Sequence, residues 1–286
     1  MKILVTGATG NVGGQVANQL IAAGHRPKLM VRNAEKARAR FGDGADLVLG
    51  DLSQPESLAA AFAGADRLFL VSAGVDLATQ DGGAVAAARA AGVGHIVKLS
   101  TLGTAQGDSP GGAISRWHRM GEEAIEASGL GWTHLRPGSF MSNTLMWIPT
   151  IRALGKVFAP TGEGRFAPIH PADIGAVGVT ALTEAGHEGK IYELTGPEAL
   201  TNGELVAEIA AALGRPLEFV DIPESVAREN MGRSGMPPAL IDGILALMAM
   251  IRTGKGAKVT DTVATVTGRA PRTFRSWVAE NVAAFR

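Results

Sequence analysis

Short apolar runs alternate with alanine-rich stretches of helical periodicity over the first half of the chain. The apolar runs predict strands over 2–6, 27–32, 46–52, 67–73, 95–100 and 132–136. Between the first two runs, Val12, Val16 and Leu20 fall on one helical face, which predicts a helix that stops at Gly24. Strands that are apolar almost throughout and are separated by helices are typical of a parallel sheet covered on both faces.

The pattern changes after Gly196 and Pro197, where helical periodicity dominates. Two segments, 53–56 and 201–204, carry the capping-box pattern that predicts the start of a helix. We predict an α/β fold with a doubly wound parallel sheet and a smaller, mostly helical C-terminal substrate lobe. The predicted boundaries are 1–139 plus 166–196 for the sheet domain and 140–165 plus 197–286 for the lobe.

Composition narrows the chemistry. The 286 residues include no cysteine, which excludes disulfides, thiolate metal sites and a thiol nucleophile. Lys plus Arg and Asp plus Glu number 27 each, and this neutral balance argues against a nucleic-acid partner. The apolar stretch 240–251 is too short to span a bilayer, and the N-terminus lacks a signal-peptide pattern. We therefore expect a cytoplasmic protein without membrane contact.

A glycine-rich loop lies between the first predicted strand and the first predicted helix. It reads Gly7-Ala8-Thr9-Gly10-Asn11-Val12-Gly13. The first glycine permits a tight turn, the second lets backbone approach a pyrophosphate, and the third lets the helix pack closely on the strand. The helix N-terminus offers free N–H groups to phosphates. All residues of this loop except Ala8 are predicted to bind a dinucleotide in a Rossmann-type domain.

The end of the second predicted strand decides between the two nicotinamide cofactors. Arg32 and Asn33 stand where NAD-binding proteins usually carry an acidic residue for the ribose hydroxyls, and Lys36 follows one turn later. A guanidinium offers bidentate donors to a 2′-phosphate, so these three residues predict NADP(H) rather than NAD(H). The alternative is that Arg32 is an exposed loop charge, and Glu35 would repel a phosphate or pair with Lys36.

The motif TGATGNVG over 6–13 resembles the short-chain dehydrogenase/reductase superfamily. This resemblance implies that Asp51 and Leu52, after the third strand, contact adenine, although Asp51 is also placed to cap a helix. The superfamily's usual catalyst is a Tyr-x-x-x-Lys pair. The only tyrosine here is Tyr192, and Gly196 stands four residues after it, so the pair is absent.

The segment 115–143 resembles the NmrA-like atypical branch of the superfamily. Its shared pattern, H-x-x-x-E followed by SGL-x-(W/Y)-T and R-P-x-x-F-M-x-N, falls here on His118, Glu122, Trp132, Thr133, Arg136, Pro137, Phe140, Met141 and Asn143. Similar stretches at 192–201 and 266–277 extend the resemblance over nearly the whole chain. The branch includes NADPH-dependent quinone and dye reductases, isoflavone-type reductases and regulators that bind NADP without catalysis.

The resemblance and the strand positions together imply further site residues. His118 falls where related reductases carry a catalytic lysine, so it either donates a proton or only orders the cofactor. Ser100 and Thr101 follow the fifth strand, where a hydroxyl holds the carboxamide or a substrate carbonyl, or else satisfies its own turn. The segment after the fourth strand is expected to line the cofactor cleft through Ser72, Ala73 and Gly74.

The residues after strand six are expected to face the reacting ring and the acceptor. Pro137, Gly138 and Phe140 should pass over the nicotinamide. The candidate substrate residues are Met141, Asn143, Met146, Trp147 and Phe166, although such side chains are more often plain core.

These features predict an NADPH-dependent reductase that transfers hydride to a small conjugated acceptor such as a quinone. Positioning supplies most of that reaction, so a missing acid–base pair is tolerable. The alternative is a non-catalytic NADP(H)-binding sensor that contacts a protein partner. No histidine or carboxylate spacing indicates a metal site. A monomer and a homodimer are both compatible with the sequence.

Overall fold

The computed structural model describes residues 1–106 and 112–286. Its strands are β1 (Ile3–Val5), β2 (Lys28–Val31), β3 (Asp46–Leu49), β4 (Arg67–Leu70), β5 (His95–Leu99), β6 (Gly131–Pro137), β7 (Lys156–Ala159), β8 (Arg165–Phe166), β9 (Lys190–Leu194), β10 (Leu200–Thr201) and β11 (Glu218–Asp221). Its α-helices are α1 (Asn11–Ala22), α2 (Ala34–Phe41), α3 (Leu58–Phe62), α4 (Leu77–Ala91), α5 (Gly112–Glu126), α6 (Ile148–Leu154), α7 (Pro171–Thr183), α8 (Asn202–Leu213), α9 (Glu224–Arg233), α10 (Pro238–Arg252), α11 (Thr262–Thr267) and α12 (Phe274–Phe285).

Seven strands form one parallel sheet in the order β3-β2-β1-β4-β5-β6-β9. Val5 of β1 is in register with Leu29 of β2 on one side and with Phe69 of β4 on the other. The chain therefore runs outward from β1 to β3 and then crosses back to β4, which is the doubly wound arrangement of dinucleotide-binding domains. The predicted Rossmann-type fold class, with a helical C-terminal part, is confirmed.

The chain divides into two compact units. The first consists of residues 1–101, 117–136 and 171–193, and the second of residues 102–116, 137–170 and 194–286. The domain boundaries expected from the sequence, which keep 102–116 with the sheet, stay a prediction.

The central strands of the first unit are buried because helices cover the sheet. Leu58 and Phe62 of α3 and Ile125 of α5 join strand residues such as Leu68 and Ile96 in one apolar cluster. On α7, Gly178 faces the ring of Phe69 so closely that a Cβ there would lie 2.8 Å from Cε2. A small residue is required at this point because the helix lies directly on the sheet.

The second unit has its own core beneath two short sheets. Strands β7 and β11 pair in parallel, and β8 and β10 pair antiparallel. Leu205 and Ile209 of α8 pack with Trp277 and Phe285 of α12. The rings of Trp277 and Phe285 meet edge to face, with centroids 6.1 Å apart, so aromatic packing joins the two ends of α12.

One of the two predicted capping boxes forms and the other does not. At α8 the Thr201 hydroxyl accepts from the Glu204 N–H, and the Glu204 carboxylate accepts from the Thr201 N–H, as expected. At 53–56 the prediction was wrong: Ser53 donates its N–H and its hydroxyl to Asp51 Oδ1 at 2.9 and 2.8 Å. The acidic residue two positions earlier captures the serine, and a 3₁₀ turn over Pro55–Ser57 precedes α3 instead.

Among the described residues, no helix combines the length and the apolar character needed to cross a membrane. The cytoplasmic location stays a prediction.

Candidate functional site

The strand order places a ligand crevice at one edge of the first unit. Strands β1 and β4 are neighbours, but the connections that follow them lead in opposite directions along the sheet. Open α/β sheets bind their ligands at such a switch point, beyond the carboxyl ends of the strands. The loops after β1, β2, β4 and β5 all reach this edge, and they carry most of the predicted site residues.

The phosphate loop has the geometry that its glycines predict. Gly7 adopts φ +59°, in the left-handed region that favours glycine. The Gly10 N–H donates to the Gly7 carbonyl at 2.9 Å and closes the turn. A Cβ on Gly13 would overlap the Gly7 carbonyl oxygen, so only glycine fits there. Helix α1 then begins at Asn11 after the N-cap residue Gly10, which has no side chain to cap it, and such a helix N-terminus fits the pyrophosphate of a dinucleotide.

Arg40 of α2 supports this loop, and sequence reasoning missed it. Its Nη1 donates to the Thr9 carbonyl at 2.9 Å, and a Cβ on Gly14 would overlap the same guanidinium. Gly14 thus makes room for the arginine beside the loop. The short, polar helix α2 lacks the apolar periodicity that identified α1, so the pattern did not single out Arg40.

The predicted adenosine residues lie after β2 and β3. The Arg32 side chain is 82% exposed, and its Nη1 lies 4.0 Å from Asp51 Oδ2. The Asn33 side chain accepts from the Lys36 N–H at 2.9 Å and caps α2. Hydrogen bonds from Ser53 lower the pKa of Asp51 below its ordinary value. Leu52 is buried, whereas Arg32, Asn33 and Lys36 are exposed.

A buried ion pair lies behind the loop after β4. Lys98 Nζ of β5 and Asp81 Oδ2 of α4 are 2.5 Å apart, and both side chains are fully buried. The Ser72 hydroxyl donates to the other carboxylate oxygen, Oδ1, at 2.7 Å. Next to Ser72, Ala73 exchanges hydrogen bonds with Gln80 of the same helix, and these contacts fix the loop against α4.

A second buried ion pair repeats this arrangement behind the loop after β5. Arg136 of β6 donates from Nε and Nη2 to the two oxygens of Glu122 on α5, at 2.9 and 2.6 Å. The Ser100 hydroxyl donates to Glu122 Oε1 at 2.6 Å. Burial by itself would raise the pKa of Glu122, but the hydrogen bonds from Arg136 and Ser100 outweigh it and lower the pKa to about 2. The carboxylate is therefore ionised at neutral pH.

His118 lies one turn before Glu122 on α5. Burial, assisted by the charge of Lys98, lowers its pKa to about 3, against the opposing effect of Glu122. Its Nδ1 is buried and has no hydrogen-bond partner in the described part of the chain. The imidazole is therefore neutral at physiological pH, with one ring nitrogen available to a ligand.

Glu126 and His134 extend the network away from Ser100. Arg119 of α5 donates to both Glu122 and Glu126, and His134 Nε2 lies 3.2 Å from Glu126 Oε1. Ligand atoms of Glu122, Glu126 and His134 lie within 4.8 Å of one another, a spacing that a metal ion could use. Two guanidinium groups already neutralise the carboxylates, so we assign no metal here.

The remaining predicted residues belong to the second unit. The Gly138 N–H donates to the Leu194 carbonyl at 2.9 Å, and Phe140 bridges to Ile169. Met141 and Phe166 are buried in the core of this unit, and Trp147 packs against it. Met146 is 66% exposed, and Asn143 is exposed as well. Their roles toward cofactor or substrate stay predictions.

Tyr192 lies on the edge strand β9, away from the carboxyl ends of β4 and β5. Its hydroxyl is 2.8 Å from His187 Nδ1, and burial raises the pKa of Tyr192. A tyrosine that is harder to ionise and is held by a histidine does not replace the missing pair.

Lys98 is a further residue that the sequence analysis did not single out, although a lysine within the apolar strand HIVKL is itself a signal of a buried partner.

Similarity to known proteins agrees with this geometry. A family model described as NAD(P)H-binding matches residues 7–185. The NAD(P)H azoreductase of Xenophilus azovorans is 40% identical over 284 residues, 99% of each chain. The (4-alkanoyl-5-oxo-2,5-dihydrofuran-3-yl)methyl phosphate reductase of Streptomyces griseus is 42% identical over 283 residues, again 99% of each chain. The solved NADPH-dependent quinone oxidoreductase of Escherichia coli, in complex with NADPH, has a TM-score of 0.85 at 29% identity and 99% coverage of each chain.

These relatives confirm the predicted resemblance, and they include a protein named as an NmrA-like oxidoreductase. The loop geometry fits the same cofactor that the relatives' names record. The chain belongs to the NAD(P)H-binding family and is an NAD(P)H-dependent oxidoreductase.

Proposed function

We propose that this protein is an NADPH-preferring reductase of small conjugated acceptors, with quinones and azo compounds as the first class to test. The observation that carries the proposal is a complete dinucleotide loop beside a site that has no tyrosine acid. Three relatives are named for reducing an azo compound, a quinone and an oxo-dihydrofuran. Each of these acceptors has a conjugated π system that accepts hydride without a strongly acidic neighbour.

The preference for NADPH rests on Arg32. Its exposed guanidinium follows β2, where the ribose of the adenosine half lies in this fold. The 4.0 Å separation from Asp51 is a loose ion pair at an exposed site, which is worth no more than about 1 kcal/mol. A 2′-phosphate that bridges Arg32 and Lys36 would gain two charge-assisted contacts, and NADH lacks that group.

Bound NADPH would supply the hydride, and the acceptor would take up that hydride and one proton in a two-electron reduction. Because its pKa lies near 3, His118 carries no imidazolium proton at neutral pH, so it can hydrogen-bond a ligand but cannot act as the proton donor. We therefore assign the proton to solvent. The protein's contribution is to hold the cofactor and orient the acceptor, which is the largest effect such a transfer needs.

An acceptor panel tests the reaction. NADPH oxidation is followed with quinones, azo dyes and conjugated enones, each beside a protein-free control. We expect enzyme-dependent oxidation with at least one class, at one NADPH for each two-electron reduction. Tight NADPH binding without turnover of any acceptor would overturn the reductase proposal and would favour the sensor that the sequence also allowed.

Arg32→Ala tests the cofactor preference. We expect NADPH affinity to fall about 10- to 100-fold, the effect of losing one or two charge-assisted contacts, while NADH affinity changes less than about 2-fold. Arg38→Ala, which removes another exposed cation of α2, is the matched control and should leave both affinities unchanged. An equal loss for NADPH and NADH in Arg32→Ala would contradict the assignment.

A further inference from the structure

Two neighbouring strand ends in the first unit repeat one arrangement of four groups. After β4, Ser72 donates to Asp81, which pairs with Lys98. After β5, Ser100 donates to Glu122, which pairs with Arg136. In both cases the carboxylate comes from a helix, the cation comes from the next strand of the sheet, and the serine follows the preceding strand.

The direction of these hydrogen bonds fixes what each serine can offer to a ligand. A hydroxyl has one proton and two lone pairs. Ser72 and Ser100 each direct that proton to a carboxylate, at 2.7 and 2.6 Å. A carboxylate paired with an ammonium or a guanidinium is ionised and has no proton to return. Each serine oxygen can therefore offer a ligand only its lone pairs, so each acts toward a ligand as a hydrogen-bond acceptor.

We propose that Asp81–Lys98 and Glu122–Arg136 are positioning pairs that make Ser72 and Ser100 hydrogen-bond acceptors toward the nicotinamide half of NAD(P)H. The groups they would recognise are the N–H and O–H donors of that half, namely the carboxamide NH₂ and the ribose hydroxyls. This inference rests on the proposed placement of the two serines at the cofactor, because β4 and β5 lie on the nicotinamide side of the switch point.

A purely structural role for the pairs makes a different prediction. Buried ion pairs often contribute little net stability, so a pair of this kind could serve only to fix the local structure. If Glu122 only stabilised the fold, its replacement would change cofactor affinity independently of Ser100. If it acts through the Ser100 proton, the two replacements must be coupled.

A double-mutant cycle on NADP⁺ affinity separates these roles. Ser100→Ala removes the acceptor and should weaken NADP⁺ binding about 10-fold. In Glu122→Gln, the donors of Arg136 Nη2 and Arg119 Nη1 should hold the amide oxygen at the Oε2 position. The amide NH₂ then faces Ser100, whose own proton turns toward the cofactor. The Ser100 hydroxyl would then face the cofactor's own N–H and O–H donors, and NADP⁺ affinity should fall at least as far as in Ser100→Ala. The double variant should bind as Ser100→Ala does, within about 2-fold.

Affinity is measured by calorimetry without any acceptor, so the outcome does not depend on turnover. Glu123→Gln is the control: this carboxylate is the next residue of α5, is 58% exposed and also pairs with Arg119. It should leave NADP⁺ affinity unchanged. If Glu122→Gln does not fold by circular dichroism, the cycle is repeated with Asp81→Asn and Ser72→Ala.

Additive losses in the double variant, or unchanged NADP⁺ affinity in Ser100→Ala, would overturn the inference. Failure of the reductase proposal is distinguishable, because it would appear as wild-type protein that binds NADPH but reduces no acceptor. The inference about the serines would survive that result.

Discussion

The two ends of the proposed cofactor site are built by different means. At the phosphate loop, the proposed contacts come from backbone shaped by Gly7, Gly10 and Gly13, and the cations beside it are exposed. At the ends of β4 and β5, the polar groups are buried side chains, and each serine depends on a charge pair from other elements. The first end is local in sequence. The second is assembled from residues that are distant in the chain: Arg136, for example, lies 36 positions after the Ser100 to which it is linked through Glu122.

This difference separates binding from orientation. Backbone N–H groups at a helix N-terminus hold phosphates in any reductase of this fold, so they decide that a dinucleotide binds. Buried side-chain networks have a single satisfied arrangement and are costly to disturb, so they are suited to fix the reacting half in one position.

The largest effect is expected from breaking a buried pair. Lys98→Met leaves the fully buried Asp81 carboxyl without its cation, which should lower the free energy of unfolding by about 3–5 kcal/mol. Urea titration measures the free energy of unfolding of each variant. Asp81→Asn combined with Lys98→Met should recover most of the loss. Arg228→Met removes the exposed partner of Asp242 and should leave the free energy of unfolding nearly unchanged. Equal losses in the buried and the exposed variants would contradict the account.

The next effect tests the loop. In Gly13→Ala the new Cβ overlaps the Gly7 carbonyl, so the turn must open, and we expect NADPH affinity to fall about 100-fold or more. Gly82→Ala is the matched control, because Gly82 lies inside α4 with no described atom within 4 Å of its Cβ position. It should keep NADPH affinity and gain about 0.5–1 kcal/mol of stability. An unchanged NADPH affinity in Gly13→Ala would show that this loop does not bind the cofactor.

A pH effect follows from His134. Burial lowers its pKa from 6.5 to about 4 in the folded protein. Below pH 6.5 the unfolded chain therefore binds a proton that the folded chain does not, and stability is lost as pH falls from 6.5 toward 4. Between pH 7 and pH 5 this contributes a loss of up to about 2 kcal/mol. The free energy of unfolding of His134→Gln, measured at the two pH values, should depend less on pH than that of the wild type. An unchanged dependence would contradict the assignment of this effect to His134.

The smallest effect concerns the single tyrosine. Tyr192→Phe removes the hydrogen bond to His187, which should cost about 1 kcal/mol of stability. Turnover with any active acceptor should stay within about 2-fold, because β9 is an edge strand away from the switch point. A loss of turnover beyond 100-fold would show that Tyr192 takes part in the reaction.

The same contrast explains how much of the molecule the sequence predicted. The strands, the loop after β1 and the capping box at Thr201 follow from periodicity and short-range spacing. The failed box at Ser53 shows the limit, since Asp51 competes for the same serine. The pairing of Ser100 with Glu122 and Arg136 depends on strand register, because Leu99 lies beside Leu135. Register is a tertiary property that spacing along one chain does not contain.

The most direct test of the two-ended site uses half of the cofactor. Adenosine 2′,5′-bisphosphate carries the adenosine half and the 2′-phosphate but has no nicotinamide. Calorimetry should show that Arg32→Ala loses about 10-fold or more of its affinity for this fragment, whereas Ser100→Ala binds it like the wild type. If Ser100→Ala lost fragment affinity as strongly as Arg32→Ala, the division of the site into two independent ends would be wrong.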